Sequence, residues 1–260
     1  MRVICAIPNY NGASCLVNII KQVVNDSFDE IYVLDDASTD NSLELLYAFK
    51  DQVIAVDGHK NLGPAGNRNR ILEFLEPDDI VCFVDVDMEI KTPGIREKIE
   101  ECFLNNDDVG IIGGMILNKK NKPMTYNYGR LDTKTAAFWG GWIERLAILL
   151  HFKPLVLPLR RIAKKYTYNV EIRYFKPVER PVDWVSEAFC ALRGDVFKKI
   201  GGFDSNMRYS EGQDLALRFR ELGHKVIFYP NILAKHLELK VRDQSRDRKS
   251  SRDYLRNKFK

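Results

Sequence analysis

"DIVCFVDVD", residues 79–87, is an apolar run that ends in two carboxylates. The run Ile80–Val84 has the composition of a buried β-strand, and Asp85 and Asp87 follow it with one residue between them. Because side chains alternate along an extended chain, both carboxylates point to one side if the extended path continues. Neighbouring carboxylates repel each other unless a cation or a proton lies between them. The stretch therefore indicates a cation-binding strand end, although solvated acidic strand ends are also common.

Strand and helix patterns alternate on both sides of this stretch. Apolar runs of strand length are separated by segments whose apolar residues recur at helical spacing. This alternation predicts an α/β fold with a mostly parallel central sheet and helices on both faces. The predicted strands are RVICAIP, EIYVLDD, QVIAVDG, DIVCFVDVD and VGIIGGMIL, and the predicted helices are SCLVNIIKQVVND, STDNSLELLYAF, GPAGNRNRILEFL and PGIREKIEECFLNN.

Each of the first four predicted strands ends in polar residues. These ends read PNYNG, DDASTD, DGHKNLG and DVD. Ligands of open α/β sheets bind beyond the carboxyl ends of the strands. We therefore expect the four ends to converge on one ligand crevice.

The composition is that of a soluble globular protein of 260 residues, with 45% hydrophobic and 29% charged residues. Its five cysteines show no CxxC pair, which indicates reduced thiols and neither a disulfide framework nor a zinc site. The N-terminal residues lack the apolar core of a signal peptide, and no apolar run is long enough to cross a membrane. These features predict a cytoplasmic protein.

The net charge of +4 hides a strong asymmetry along the chain. Residues 1–118 carry −12, residues 119–180 carry +10, residues 181–238 are neutral, and residues 239–260 carry +6. Four parts with different tasks are therefore expected. The second part is a basic amphipathic insertion, which is able either to lie on a membrane surface or to cover the α/β domain or a dimer interface. The fourth is a basic tail, either close to acidic lipid or simply solvated.

Six motifs follow one another along this chain in the order IPNYNG, LDDASTDNS, NLGPAGNRN, VDVD, GGFDSNM and EGQDLALRFRELGHKV. In this order they resemble the family 2 glycosyltransferases, which have the GT-A fold. The resemblance covers roughly residues 2–118 and 182–238. It implies a Rossmann-like half, residues 1–118, that binds a nucleotide sugar, and an acceptor and catalytic half, residues 181–238.

The resemblance places a divalent metal, Mn²⁺ or Mg²⁺, on the diphosphate of the donor. The metal motif of the family falls on Asp85 and Asp87, with Asp87 as the direct ligand and Asp85 binding ribose, sugar or metal-bound water. His236 falls where some members complete the metal site, and imidazole is a plausible third ligand.

The donor side follows from the earlier strand ends. By resemblance, Pro8, Tyr10 and Asn11 form the wall near the nucleotide. Asp35 and Asp36 match an acidic pair of which one member reads the base or the ribose, a role that suits an acceptor-only carboxylate. Helix capping by the residues of DDASTD is the alternative.

"NLGPAGNRNR", residues 61–70, matches neither GxGxxG nor the P-loop. Gly63 would let the backbone approach the donor, and Arg68 would reach a phosphate or a sugar hydroxyl. A solvated Arg68 on the helix surface is the alternative.

The acceptor side falls to the later motifs. The resemblance places Trp184 and Glu187 beside the acceptor, although Trp184 could equally fill the core. Family members usually read Glu-Asp-x-Asp where this chain reads Glu211-Gly212-Gln213-Asp214, so glycine stands at the usual position of the general base. Glu211 is favoured as base and Asp214 as the positioning residue, with the reverse or another base left open.

The resemblance implies a metal-dependent inverting glycosyltransferase that moves a sugar from a nucleoside-diphosphate sugar, UDP favoured, to a hydroxyl of a glycan or lipid-linked acceptor. One alternative is a GT-A-fold binding module that has lost its base. Another is a nucleotidyltransferase, although "PNYNGASCL" lacks the basic residues usual there. Nucleic acid is not expected, because the strand ends are acidic. A peripheral position on the inner face of the membrane is left open.

Overall fold

The structure is a computed structural model that describes residues 1–124, 127–129, 178–239 and 245–258. Most of the predicted basic insertion, residues 119–180, lies outside the described residues. Its membrane-surface and interface alternatives therefore both stay predictions.

Helices and strands alternate within the described residues, as the sequence predicts. The helices are α1 (Ala13–Asn25), α2 (Ser42–Tyr47), α3 (Gly63–Asn69), α4 (Ile95–Leu104), α5 (Gly194–Lys199), α6 (Glu211–Glu221) and α7 (Ser245–Lys258), and a 3-10 turn over Arg70–Glu73 continues α3. The strands are β1 (Val3–Asn9), β2 (Glu30–Asp35), β3 (Ile54–Asp57), β4 (Ile80–Val84), β5 (Met88–Ile90), β6 (Val109–Leu117), β7 (Tyr128–Gly129), β8 (Arg180–Pro181), β9 (Trp184–Val185), β10 (Phe189–Arg193) and β11 (Lys225–His236).

One central sheet carries the fold. Its strands follow the order β3-β2-β1-β4-β10-β6-β11-β5, and β8 pairs with β11. Strands β3, β2, β1 and β4 run parallel, as do β6 and β11, whereas β10 runs antiparallel to both β4 and β6. This arrangement confirms the predicted α/β class with a mostly parallel sheet.

Apolar side chains cover both faces of the sheet. Alternation along β1 sends Val3, Cys5 and Ile7 into one buried cluster and Ile4 and Ala6 into another. A central strand that helices cover on both faces needs this double burial. The five cysteines are all buried and form no disulfide in the structure, and their reduced state stays a prediction.

The strand β10 brings a later part of the chain to the crevice. Because β10 is antiparallel to β4, its first residue, Phe189, pairs with Val84 at the carboxyl end of β4. The N–H of Asp85 then donates to the carbonyl oxygen of Ala188 at 3.0 Å. The residues just before β10 therefore lie beside the acidic end of β4.

The chain turns after β4 and does not continue as a strand through Asp87, which is a correction to the predicted fourth strand. The N–H of Met88 donates to the carbonyl oxygen of Asp85 at 3.0 Å and closes the turn. The next strand, β5, pairs antiparallel with β11, so that Met88 lies opposite His236. The chain turns because β5 pairs with β11 at the edge of the sheet. The local sequence pattern does not predict this pairing.

In the part of the chain that the structure describes, every helix is too short or too polar to cross a bilayer.

Candidate active site

The carboxyl ends of the first parallel strands meet at one edge of the sheet, as predicted. Asn9 at the end of β1 lies opposite Asp35 of β2, and Asp35 lies opposite Asp57 of β3. The end of β4, with Asp85, completes this edge next to β1.

Asp85, Asp87 and His236 form one cluster at the crevice. One ligand atom from each residue can be chosen so that all three lie within 4.8 Å of one another. The Nε2 atom of His236 lies 3.1 Å from Oδ1 of Asp87. The two aspartates therefore converge through the turn after β4, and the pairing of β5 with β11 adds the histidine.

The charges in this cluster shift the pKa values of its members. Burial raises the pKa of Asp85 to about 6, and the charge of Asp87 acts in the same direction while Arg68 opposes it. Burial also acts to raise the pKa of Asp87, but the contact with His236 and the N–H of Leu239 lower it below its usual value. Burial acts to lower the pKa of His236, and the contact with Asp87 outweighs it and raises that pKa.

The donor atoms of the cluster suit a divalent cation. Two carboxylates and one imidazole supply hard oxygen ligands and one nitrogen, which fits Mn²⁺ and, through the oxygens, Mg²⁺. A cation between the carboxylates would remove the repulsion that helps to raise the pKa of Asp85. The predicted ligands therefore lie together, and metal binding by them stays a prediction.

Arg68 is a buried cation behind this cluster, and its predicted alternative as a solvated surface arginine is wrong. The side chain is 4% exposed, and its Nη2 donates to Oδ1 of Asp85 at 2.5 Å. Its Nη1 lies 3.5 Å from Oε1 of Glu211, and the guanidinium lies 5.8 Å from the ring centre of Phe203. Burial acts to lower the pKa of Arg68, but the charges of Asp85, Glu211 and Glu187 raise it, so the side chain stays charged.

The helix α3 delivers Arg68, and Asp36 fixes the start of that helix. One carboxylate oxygen of Asp36 accepts from the N–H of Leu62 at 2.7 Å, and the other accepts from the N–H of Gly63 at 2.9 Å. Gly63 has a φ of 76°, in the left-handed region that glycine adopts without strain. The predicted donor residues Asp36 and Gly63 therefore contact each other, and their contact with a donor stays a prediction.

Asp35 is fully buried and holds the loops that follow β1 and β2. Its Oδ1 accepts from Nδ2 of Asn9 at 2.7 Å and from the hydroxyl of Ser38 at 2.6 Å. Asn11 in turn accepts from the N–H of Thr39 at 2.7 Å. The side chains of Asp35 and Asn11 thus shape the wall of the crevice from behind.

The remaining predicted donor residues lie at the end of β1. Pro8 and Tyr10 are half-buried there, on either side of the buried Asn9. They are placed to border the crevice, and their contact with a nucleotide stays a prediction.

The start of α6 carries the two predicted catalytic carboxylates, in different surroundings. Asp214 is fully buried. Its Oδ2 accepts from Nε of Arg218 at 2.8 Å, and its Oδ1 accepts from Nζ of Lys258 at 2.6 Å. Glu211 is 3% exposed and lies beside Arg68. Asp214 is therefore bound by two cations, whereas Glu211 faces the arginine of the crevice.

The predicted acceptor residues lie in the segment that leads into β10. Trp184 is half-buried in β9, and its ring packs against Gly129 of β7. Glu187 is also half-buried, and its carboxylate lies against Gly212 in the first turn of α6. Trp184 therefore has a packing role, while Glu187 lies between the end of β4 and the start of α6.

The C-terminal helix α7 also reaches this part of the molecule, which the sequence did not indicate. Lys258 contacts Asp204 and Asp214, both at 2.6 Å, and the hydroxyl of Tyr254 donates to Asp204 at 3.0 Å. The basic composition of the segment that forms α7 indicated only a tail. Its acidic partners could not be foreseen, because they lie more than 40 positions earlier in the chain.

Sequence reasoning also missed Asn9, Ser38 and Asn69, which position the site from behind. Asn69 donates to the carbonyl oxygen of Phe203 at 2.8 Å and accepts from its N–H at 2.7 Å, so it ties α3 to the segment before α6. Ser38 or Asp40 was the expected helix cap; Ser38 bonds Asp35 and lies outside α2, whereas Asp40 accepts from the N–H and the hydroxyl of Ser42, the first residue of α2. The polar residues at strand ends were the available signal for Asn9.

Comparison with known proteins identifies the family and the fold of this chain. A sequence profile described as "Glycosyl transferase family 2" matches residues 4–151. A curated relative, the O-antigen chain rhamnosyltransferase WbaN of Salmonella anatum, is 21% identical over 240 residues, which cover 88% of this chain and 64% of that protein. The chain thus spans somewhat less than two thirds of the length of this relative.

Solved structures show the same fold. S. aureus TarS 1-349 in complex with UDP-GlcNAc has a TM-score of 0.59 and 14% identity over 92% of this chain and 60% of that one. The mannosyltransferase PcManGT from Pyrobaculum calidifontis in complex with GDP-Man and Mn²⁺ has a TM-score of 0.57 and 16% identity over 92% and 58%. The fold is GT-A, and with the profile match over more than half of its length the chain belongs to glycosyl transferase family 2.

Proposed function

We propose that this glycosyltransferase moves a sugar from a nucleoside-diphosphate sugar to a hydroxyl of a glycan or lipid-linked acceptor, with inversion and with dependence on Mn²⁺ or Mg²⁺. The convergence of Asp85, Asp87 and His236 at the carboxyl edge of the sheet carries the proposal. A carboxylate pair of this kind binds the divalent ion that accompanies a diphosphate.

The donor would lie along the crevice from β1 to β4. Asp87 and His236 would hold the metal, with Asp85 as a further ligand or as a partner of the ribose or sugar. Arg68, charged and buried, would add a fixed positive charge near the leaving diphosphate. Pro8, Tyr10, Asn11, Asp35, Asp36 and Gly63 would form or fix the nucleotide wall.

The metal, when bound, would stabilise the negative charge that develops on the diphosphate leaving group. The acceptor hydroxyl would approach from the side of β9, β10 and α6, where Trp184, Glu187, Glu211 and Asp214 lie. By the resemblance, Glu211 is favoured as base and Asp214 as the positioning residue, with the reverse or another base left open. A single displacement would invert the anomeric carbon.

The base of the donor is a separate part of the proposal. UDP is favoured, and one structural neighbour is described with UDP-GlcNAc. Another is described with GDP-Man, and so GDP and dTDP belong in the same test. The WbaN relative, an O-antigen chain rhamnosyltransferase, supports a glycan acceptor in polysaccharide biosynthesis. We place the protein in the cytoplasm, with peripheral contact to the inner face of the membrane as a further part of the proposal, and with no nucleic-acid partner.

Calorimetric titration with UDP, dTDP and GDP, each with and without Mn²⁺, tests the donor site. We expect one nucleotide to bind at least about tenfold more tightly with the ion than without it, because metal and diphosphate bind together. The control is Glu89→Gln in β5, which removes one charge from a surface ion pair with Lys91. A folded protein that binds none of the three would refute the proposal.

A catalytically degenerate binding module is the second candidate, because glycine replaces the usual base at position 212. It predicts the same nucleotide binding without any turnover of the nucleotide sugar. Release of nucleoside diphosphate from UDP-GlcNAc, dTDP-rhamnose or GDP-mannose separates the two.

A further inference from the structure

Gly212 occupies the position where family members usually carry the general base, and its backbone does not require glycine. It lies in the first turn of α6 and is absent from the residues with positive φ. Any residue type could adopt this backbone. The space around it is what restricts a side chain at this position.

Glu187 fills that space. A Cβ atom on Gly212 would lie 2.5 Å from Oε2 of Glu187 and 3.0 Å from the carbonyl oxygen of Val185. The first distance is far below van der Waals contact, so a side chain at 212 and the present position of the Glu187 carboxylate exclude each other. The carboxylate of Glu187 thus occupies the volume into which a side chain at 212 would project.

The antiparallel strand β10 explains how Glu187 reaches this place. Phe189 pairs with Val84, so the chain two residues earlier lies beside the carboxyl end of β4 and under the start of α6. The N–H of Asp85 donates to the carbonyl oxygen of Ala188, the next residue after Glu187, at 3.0 Å, and the Glu187 carboxylate lies against the turn that carries Glu211 beside Arg68. The carboxylate therefore lies at the crevice and not on a remote surface.

The three carboxylates of this region differ in their availability. Asp214 is fully buried and bound by Arg218 and Lys258. Glu211 is 3% exposed and lies beside Arg68. Glu187 is half-buried, and none of the described residues donates a hydrogen bond to its carboxylate or forms an ion pair with it. Of these three carboxylates, Glu187 is the one that is neither buried nor paired with a cation among the described residues.

We propose that Glu187 is the general base of this chain. It would replace the carboxylate that family members usually carry at the position of Gly212. This inference rests on the proposed glycosyl transfer. The carboxylate of Glu187 takes the proton of the acceptor hydroxyl while the acceptor oxygen forms its bond to the anomeric carbon. The bond from that carbon to the diphosphate oxygen breaks, and the nucleoside diphosphate leaves with the electron pair. The carboxylic acid of Glu187 then returns its proton to solvent.

The test measures donor binding and donor turnover separately, on the full chain. The probes are UDP-GlcNAc, dTDP-rhamnose and GDP-mannose with Mn²⁺, and turnover is the release of nucleoside diphosphate with water or an array of sugar hydroxyls as acceptor. Glu187→Gln should lower kcat by about 10²-fold or more, which is the usual contribution of a general base, with donor affinity within about threefold of wild type. The matched control, Glu100→Gln on α4, should leave both unchanged.

A second pair of variants returns the carboxylate to the helix. Glu187→Gly should lose turnover. The double variant Glu187→Gly with Gly212→Asp should have a kcat at least tenfold higher than that of Glu187→Gly, because the new carboxylate enters the vacated space. The acidic limb of the pH profile of kcat should vanish in Glu187→Gln and return in the double variant. A role of Glu187 in packing alone would give neither the rescue nor the change in the pH profile.

The outcomes separate the two levels of the proposal. Unchanged turnover in Glu187→Gln, or a double variant no faster than Glu187→Gly, would overturn the assignment of the base and leave glycosyl transfer standing. Donor binding without turnover in the wild type would make the chain a binding module and overturn the assignment as well. No donor binding at all would remove the proposed function first, and this inference with it.

Discussion

The Nη2 atom of Arg68 lies 2.5 Å from Oδ1 of Asp85, so the first carboxylate of the D-x-D motif is already paired with a cation of the protein. The second, Asp87, is bound instead by His236 and by the N–H of Leu239, at 3.1 and 2.8 Å. An incoming metal would therefore compete with a fixed arginine at Asp85, but with a titratable imidazole at Asp87. This difference favours Asp87 as the stronger metal ligand.

Replacing Asp87 tests that order. Asp87→Ala should abolish Mn²⁺-dependent nucleotide binding without unfolding the protein, because the metal loses its principal carboxylate. Asp87→Asn keeps an acceptor for the N–H of Leu239 and should still lose the metal dependence. Calorimetry with and without Mn²⁺ measures the effect, and Glu89→Gln is the control on the neighbouring strand. An Mn²⁺-dependent affinity unchanged by Asp87→Ala would refute the assignment.

Replacing Arg68 should lower the free energy of unfolding as well as change the site. Arg68→Met fills a similar volume but leaves Asp85 and Glu211 without the buried cation between them. Breaking a buried ion pair from one side costs about 3–5 kcal/mol, and we expect urea unfolding to show a loss near the lower end, because Asp85 is only partly buried. The double variant Arg68→Met with Glu211→Gln should recover part of that loss. A stability within about 0.5 kcal/mol of wild type for Arg68→Met would contradict this account.

Gly212→Ala should destabilise the protein, against the usual trend for helices. In a helix interior, alanine is normally more stable than glycine by about 0.8–1.0 kcal/mol. Here the new Cβ would displace the Glu187 carboxylate, which can rotate away, and would lie 3.0 Å from the carbonyl oxygen of Val185, which cannot, so we expect a net cost of about 1 kcal/mol, at the lower end for overpacking. In a Glu187→Ala background the penalty should shrink, because the colliding atom is gone. Equal effects of Gly212→Ala in the two backgrounds, by urea unfolding, would rule out the predicted contact.

The docking of α7 should depend on pH through Asp204. Burial acts to raise the pKa of Asp204, but Lys258, Tyr254 and the N–H of Asn206 lower it from 3.8 to about 2. The carboxylate therefore stabilises the docked helix fully above about pH 4, and this contribution is lost as the pH falls towards 2. Hydrogen exchange of the α7 amides, corrected for intrinsic rates, should show protection falling across that interval.

Lys258→Ala gives the matched test at neutral pH. It should lower the protection of α7 at pH 7, because Asp204 and Asp214 both lose a contact. Lys199→Ala, at an exposed lysine at the end of α5, is the control. Protection that stays constant from pH 7 to pH 2, or that Lys258→Ala leaves unchanged, would contradict the docking role.

The alternation of apolar strands and helices was enough to predict the parallel sheet and its polar edge. Each of those features is local, because side-chain periodicity and strand ends are written in consecutive residues. The direction of β10 is different. Phe189–Arg193 reads as an apolar strand in either orientation, and only its packing between β4 and β6 makes it antiparallel.

The site shows the same division between local and distant information. Asp85 and Asp87 were predictable as a pair, because they stand one residue apart, although the turn between them was not. The contact of Glu187 with Gly212 joins positions 25 residues apart, and no periodic pattern relates them. The glycine in the base motif was visible as a departure, but the carboxylate that occupies its space required the fold.

The pairing of β5 with β11 has a kinetic consequence. It places residues 87 and 236 side by side, 149 positions apart in the chain. An ion bound by both would close a long loop that the unfolded chain leaves open, and closing such a loop costs entropy. Unfolding would then have to break both coordination bonds before the edge of the sheet could separate, so a chelator should accelerate global unfolding while leaving the refolding rate nearly unchanged.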